Sequence, residues 1–434
     1  MPAAPNDPPG RRLIARAALR ALATATAAAA ILLAGAGSAR AQLVFQVAPS
    51  LGAGVTDNAQ VASADNGVRR RGGFGTASAV ATADYEGPRA SHALSYLFAY
   101  TEFINRSGPN TLTNTLTWNS SFRMTPTLTL ALGAGAVLSR ISRVDLGDLA
   151  TVTPQASSQG EAQFVTVNAS ETLTYQPTPL RTYSETIRVS QLDYLNSPGS
   201  PSNDFIALQA RASRAVGRNT FFVDTQGSDS FVAGTAGSAT NVLAAGHNFI
   251  GQITLGWERE LSPTFTSQIQ GGPIAAFRVS SPAYAIIAPG GTATLNYQSR
   301  PWFATVSASQ AAAPNLFLGQ ATINRGVFAR LALPLTRNET VFVTGFGGYI
   351  YARLASNQGS LGRLFDQWTA GAALSARLPR LPIAASLQYT VIDQNGGNAG
   401  GYAVPGLERQ TLTINVGAVF AFGRGTPPLF RGTL

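Results

Sequence analysis

Two histidines, two glutamates flanking one prospective turn, and a scatter of arginines are the residues of this chain that could do chemistry. Histidine is the usual general base, and the chain has only His92 and His247. His92 stands next to Ser91, but neighbours in an extended segment point to opposite faces, so the two do not make a nucleophile–base pair. Neither histidine belongs to a recognisable Ser–His–acid set, and no catalytic residue is assigned. Glu171 and Glu185 are equidistant from Thr178, and a symmetric hairpin about that point sets them face to face. Paired carboxylates are the equipment of glycoside cleavage. Like charges directly opposed in a sheet are unfavourable, however, so a headgroup-level position or a bulge that re-aims them is the simpler expectation. Gly133-x-Gly135 sits in an alternating segment with no helical pattern after it, unlike a nucleotide loop. Asp145 and Asp148 have a spacing that suits calcium, yet they lie in a polar stretch and read as solvated loop acids. Cysteine is absent, which excludes disulfides and thiolate metal sites. The sequence therefore implies no metal, no cofactor and no enzyme.

The elements that must position these residues begin with an export signal. Arg11, Arg12, Arg16 and Arg20 lead into the apolar run Ala21–Gly37, which ends at Ala39-Arg40-Ala41, a small-x-small cleavage pattern. Residues 1–41 are read as a signal peptide, 42–423 as one barrel and 424–434 as a short periplasmic tail. After the signal no stretch reaches the eighteen or so apolar residues that a membrane helix needs. Hydrophobic residues make up 45% of the 434, but they are dispersed, and charged residues are only 12%. All 31 basic residues are arginine, and the formal charge is +10. Five arginines and one aspartate fall in the signal, which leaves +6 on the remainder. The arginines are scattered, with one short run at Arg69-Arg70-Arg71, so nucleic-acid binding is not expected.

Beyond the signal the chain alternates apolar and polar residues in segments separated by turns, the pattern of a transmembrane β-barrel. In the opening segment Leu43, Phe45, Val47, Leu51 and Val55 share one face, opposite Gln46, Ser50, Gly52 and Gly54. Short connections such as Glu86-Gly87-Pro88-Arg89 and Leu261-Ser262-Pro263-Thr264 alternate with long polar ones. The long set includes Thr56 to Gly73, Asp145 to Glu161, Ser230 to Gly246, Ser280 to Gly291, Ala311 to Gln320 and Asp393 to Glu408. Short periplasmic turns and longer extracellular loops are the signature of an up-and-down antiparallel barrel in the bacterial outer membrane. Eight short and nine long connections predict about eighteen strands, among them a ninth over Thr220–Phe231, an eleventh over Phe265–Val279 and a twelfth over Thr292–Gln298. Merging a pair in that region would give sixteen.

Arginine on the lipid face costs about 2–4 kcal/mol at the bilayer midplane, so polar residues on the inward phase line the pore. These are Arg188, Gln209, Arg211, Glu258, Asn296, Arg330, Arg377 and Gln388. Trp257, Trp302, Trp368, Phe420 and Phe422 map to strand ends and are expected to form the aromatic girdles at the membrane surfaces.

The mature chain resembles bacterial outer-membrane porin-like barrels. Its stretch Leu51-Gly52-Ala53-Gly54-Val55-Thr56-Asp57-Asn58 is similar to the first strand of a putative β-barrel porin family often associated with exopolysaccharide export, with Val55 where an aromatic is common. The resemblance implies a translocation barrel for a secreted polysaccharide, working with a periplasmic polysaccharide-export protein. The alternative is a general or anion-favouring diffusion porin; an outer-membrane enzyme or adhesin ranks below both. Expected partners are outer-membrane lipid, lipopolysaccharide and the barrel insertion machinery. Barrels of this class usually end on an aromatic that this machinery reads; here Phe422 ends the apolar face, and Gly423 to Leu434 extend past it.

Overall fold

The computed structural model describes residues 42–58, 71–104, 110–141, 162–195, 202–232, 246–278, 281–299, 301–315, 320–355, 363–378, 381–399, 402–404 and 406–423. The segments read as signal peptide and tail, together with Asp145 and Asp148, lie outside them. The described residues form one sheet that closes on itself. In chain order its strands are β1 (Gln42–Thr56), β2 (Gly72–Glu86), β3 (Ala90–Phe103), β4 (Thr111–Thr125), β5 (Leu128–Ile141), β6 (Ala162–Thr178), β7 (Arg181–Tyr194), β8 (Asn203–Val216), β9 (Asn219–Val232) and β10 (Gly246–Ser262). They continue as β11 (Phe265–Arg278), β12 (Ser281–Ser299), β13 (Trp302–Asn315), β14 (Gln320–Pro334), β15 (Val341–Leu354), β16 (Arg363–Arg377), β17 (Ile383–Ala399), β18 (Tyr402–Val404), β19 (Leu407–Ala418) and β20 (Phe420–Gly423).

Every neighbouring pair is antiparallel. β19 and β20 are two halves of one stave in unbroken register with β1, from Thr56↔Thr411 down to Val44↔Gly423. β18 only caps the overhang of β17. The barrel thus has 18 staves. Closure gives each stave a partner on both sides over most of its length, which satisfies the backbone where it faces lipid.

Alternation fixes the two faces. Leu43, Phe45, Val47, Leu51 and Val55 of β1 are each at least 40% exposed although apolar, as a lipid-facing row must be. On the other phase Ser50 and Ser78 share a hydrogen bond of 2.6 Å. Carried strand to strand by the register, the same inner phase joins Thr113 to Ser139 at 2.9 Å and Thr172 to Thr186 at 3.0 Å. The short turns use conventional chemistry: Gly217, in the two-residue link between β8 and β9, takes a φ of 59° that suits glycine.

Several segments depart from the sequence reading. β12 runs from Ser281 to Ser299 rather than from Thr292 to Gln298, and the prospective loop Ser280–Gly291 is mostly strand. β13 extends to Asn315, β14 begins at Gln320 and β17 reaches Ala399, so two further long loops shrink. The cause of the first misreading is the sequence Pro289-Gly290-Gly291, which looks like a turn. In the fold it pairs with Gly271-Gly272-Pro273 of β11, proline opposite proline, so the missing donors fall together.

The wall doubles in this sector. β12 and β13 are paired only from Ser299↔Trp302 up to Gly291↔Gln310; above that level each keeps only its other neighbour. β10 then approaches β13 and β14, three and four staves away. Inward residues Ile250, Ile274, Ala276 and Ala288 of β10–β12 form one buried cluster with Ala321, Ile323 and the partly buried Ala312, and of these Ala321, Ile323 and Ala312 lie on the outward phase of β14 and β13. The extracellular end of the β13–β14 hairpin therefore lies inside the barrel, beneath the inner face of β10–β12.

Candidate pore wall and outer rim

The register puts Arg188, Gln209, Arg211, Glu258, Asn296, Arg330, Arg377 and Gln388 on the inner phase of β7, β8, β10, β12, β14, β16 and β17. They are dispersed around the wall and form no single cluster. Arg188 is exposed at mid-strand on β7, and among the described residues it makes no hydrogen bond or ion pair. On the next strand the Arg211 guanidinium lies over the Phe222 ring, 3.8 Å from its centroid, a cation–π contact. Asp224, opposite Arg211, accepts a hydrogen bond of 2.7 Å from Gln209 Nε2. Farther round, Thr305 donates to Asn296 at 2.9 Å, and Arg330 is exposed opposite Thr305.

Two features of this wall were not legible from residue types alone. Inward phenylalanines lie down over glycines: Phe222 over Gly256, Phe346 over Gly371 and Phe74 over Gly54, each pair directly opposed. A Cβ on any of these glycines would run into the ring, and the arrangement keeps bulky apolar groups flat against the wall. Second, inner-phase residues at the extracellular ends are buried, as at Leu192, Asn203, Asn248, Gln367 and Leu407. The lower half of the wall is more open. There a cavity of about 700 Å³ is bounded by Gln46, Asp84, Asn119, Ser121, Ser170 and Thr172, all polar and inward.

Most described inward charges lie in the periplasmic half of the wall. Asp84, Glu86, Glu258 and Glu260 lie near the periplasmic ends of β2 and β10, with Arg330 and Arg377 near those of β14 and β16. Arg211 on β8 and Asp224 on β9 lie at nearly the level of Arg330, and Arg188 lies higher, at mid-strand on β7.

The outer face carries the remaining candidates. Trp257 donates to Asn219 at 3.0 Å near the periplasmic end, and Trp302 opens β13 half-exposed at the same end. Trp368 donates to Asp393 at 2.8 Å near the extracellular end. Phe420 is exposed on the outer phase, and Phe422 pairs in register with Phe45. Tyr175 and Tyr183 stack at 6.4 Å on the periplasmic side, and Phe231 packs on His247 at 4.8 Å on the extracellular side.

Both histidines face outward. His92 Nδ1 is 2.6 Å from Ser120 Oγ, a partner on β4 that adjacency in sequence did not reveal. His247 Nδ1 is 2.8 Å from Asp229. Neither site joins a serine and an acid on one histidine, and no cluster of three metal-ligating side chains exists among the described residues. Glu171 and Glu185 are also outward, but not face to face. A register shift between Tyr175 and Thr178 pairs Glu171 with Ile187 and Glu185 with Leu173, which places the carboxylates diagonally.

No family model matches the sequence, and no curated protein matches it. Among solved structures, the outer membrane protein OpdK from Pseudomonas aeruginosa is similar at a TM-score of 0.44 and 9% identity, over 87% of this chain and 99% of that one. OccAB3 from Acinetobacter baumannii gives 0.44 and 10%, over 89% and 100%. The siderophore receptor PirA from Pseudomonas aeruginosa gives 0.43 and 8%, over 87% and 80%. The closed wall itself, apolar outside and polar inside with aromatics at both rims, makes the chain a bacterial outer-membrane β-barrel.

Proposed function

We propose that this barrel is a diffusion pore that favours anionic solutes. The observation that carries the reading is two inward arginines on neighbouring strands: Arg188 at mid-strand on β7, open to the lumen, and Arg211 on β8, lower in the wall opposite Ser184 and held flat by Phe222. The one carboxylate beside them among the described residues, Asp224, already accepts a hydrogen bond from Gln209. An arginine anchored over a ring keeps its charge but not its reach, so it sets a local potential rather than grasping a particular solute. The surrounding hydroxyls and amides supply weak, replaceable hydrogen bonds, which permit passage rather than capture.

The test is the reversal potential of the full mature barrel in planar bilayers under a KCl gradient. The unaltered pore should pass chloride in preference to potassium, and Arg188→Gln with Arg211→Gln should bring the permeability ratio close to one. Glu258→Gln should shift it further toward chloride. An unchanged ratio in the double arginine variant overturns the reading. A polysaccharide-export role rests on the resemblance at Leu51–Asn58. A barrel that stays non-conducting alone but opens with a periplasmic partner would favour that role instead.

A further inference from the structure

The parting of β12 from β13 leaves a cleft of about 750 Å³, bounded mainly by outward-phase residues at the level where their pairing stops. Ile269, Ala308 and Val327 give it an apolar floor; Gln310, Arg325 and Tyr351 form one cross-strand row along it. The Gln310 side-chain amide donates to the Pro289 carbonyl and ties the two edges together.

Arg325 is the anomaly. It is exposed on the lipid-facing phase, nine residues above the periplasmic end of β14, and makes no hydrogen bond or ion pair with any described residue. Arg353 stands on the same face of β15, two residues beyond Tyr351, and Arg363 lies opposite it on β16. The carboxylate near this group, Asp366, is already paired with Arg363 at 2.8 Å. Among the described residues the sector therefore holds more guanidinium than carboxylate, toward the extracellular ends of β14, β15 and β16 where lipid headgroups lie. Tyr349, Tyr351 and Trp368 surround it with the side chains that favour the headgroup level.

We infer that this cleft binds one phosphate-bearing lipid of the outer leaflet, with the phosphate on Arg325 and an acyl chain along Ile269, Ala308 and Val327. Guanidinium matches phosphate with two parallel charge-assisted hydrogen bonds. The apolar floor then rewards a ligand that carries its own hydrocarbon, which free phosphate lacks. The site is on the outside of the wall and does not depend on what passes through the lumen.

Native mass spectrometry of the full mature protein in detergent, titrated with lipid A, with dephosphorylated lipid A and with inorganic phosphate, tests the inference. One lipid A should be retained about tenfold more tightly than its dephosphorylated form, a difference of about 1.4 kcal/mol, and inorganic phosphate should not bind measurably. Arg325→Gln should abolish that preference, Arg325→Lys should keep part of it, and Arg259→Gln, an outward arginine at the periplasmic end, should leave it intact. Equal retention of both lipids by the unaltered protein overturns the inference whether or not any variant folds. Binding of inorganic phosphate alone with equal strength also overturns it. A second copy of the chain is the competing occupant: loss of an oligomer in Arg325→Gln, with no lipid preference in the unaltered protein, would assign the cleft to a contact between copies. Chloride selectivity is the control for the pore reading, and Arg325→Gln should not change it.

Discussion

The inner walls of β3–β7 and of β10–β14 are made from the same kind of strand and are held together differently. Across β3–β7 the wall is one layer thick, and its inward side is a field of threonine, serine and asparagine: Thr113, Thr117, Asn168, Thr172, Thr186. No second layer of described residues packs against it. Its stability comes from the ladder on each side and from lipid on the outer face. Across the extracellular half of β10–β14 the wall is two layers thick, and isoleucines and alanines meet between the layers as they would in a sandwich. The difference shows what a barrel needs a core for. Where both neighbours are kept the ladder satisfies the backbone, and side-chain packing appears where β12 and β13 part and a hairpin must be held inside the lumen against the entropy of swinging free.

If that contrast is right, the doubled sector is where truncation hurts most. Ile323, with 0% exposure, is fully buried. Ile323→Ala should cost about 2–4 kcal/mol, read as a shift in the urea midpoint of the detergent-solubilised barrel. A midpoint unchanged by this substitution would mean that the two layers are not in contact. The next effect is at Gly256. A side chain there meets the Phe222 ring, so Gly256→Val should cost about 1–3 kcal/mol through overpacking and should also disturb Arg211, which rests on that ring. Gly227, where a Cβ meets nothing, is the control, and Gly227→Ala should stay within about 0.5 kcal/mol.

Much of the single wall was readable from its residues, because a period of two and punctual short turns are local signals. Leu412, Ile414 and Val416 alternate with Thr411, Thr413 and Asn415, and nothing nonlocal is needed to assign their faces. The doubled wall was unreadable for a physical reason. Ile323 has the phase of a lipid-facing residue, and alternation reports only which side of a strand a residue is on, not what lies there. Here another stretch of wall lies there. Proline and glycine misled in the same region, because Pro289-Gly290-Gly291 spells a turn unless Gly271-Gly272-Pro273 is known to be its partner. The diagonal offset of Glu171 and Glu185 escaped for a related reason. One irregular residue pair between Tyr175 and Thr178 moves a register that simple symmetry about Thr178 would fix. The pore candidates fell between these cases: phase is local, so the inward placement of Arg188 and Arg330 follows from it, but the seat of Arg211 over Phe222 depends on which strand comes next.

The smallest effect belongs to the single wall and sharpens the contrast from the other side. Thr172 and Thr186 share a hydrogen bond of 3.0 Å on the inner face of β6 and β7. In a dry core, loss of one hydroxyl would strand its partner at a cost of about 1–3 kcal/mol. Both residues here are only half-buried, beside the open cavity that Thr172 helps to line. Water can replace the lost partner, and valine suits a strand at least as well as threonine. Thr172→Val should therefore move the urea midpoint by less than about 0.5 kcal/mol, well below the effect of Ile323→Ala. A cost equal to that of Ile323→Ala would show that the hydroxyl wall is a structural network closed to water. The pore would then have to be sought elsewhere in the barrel.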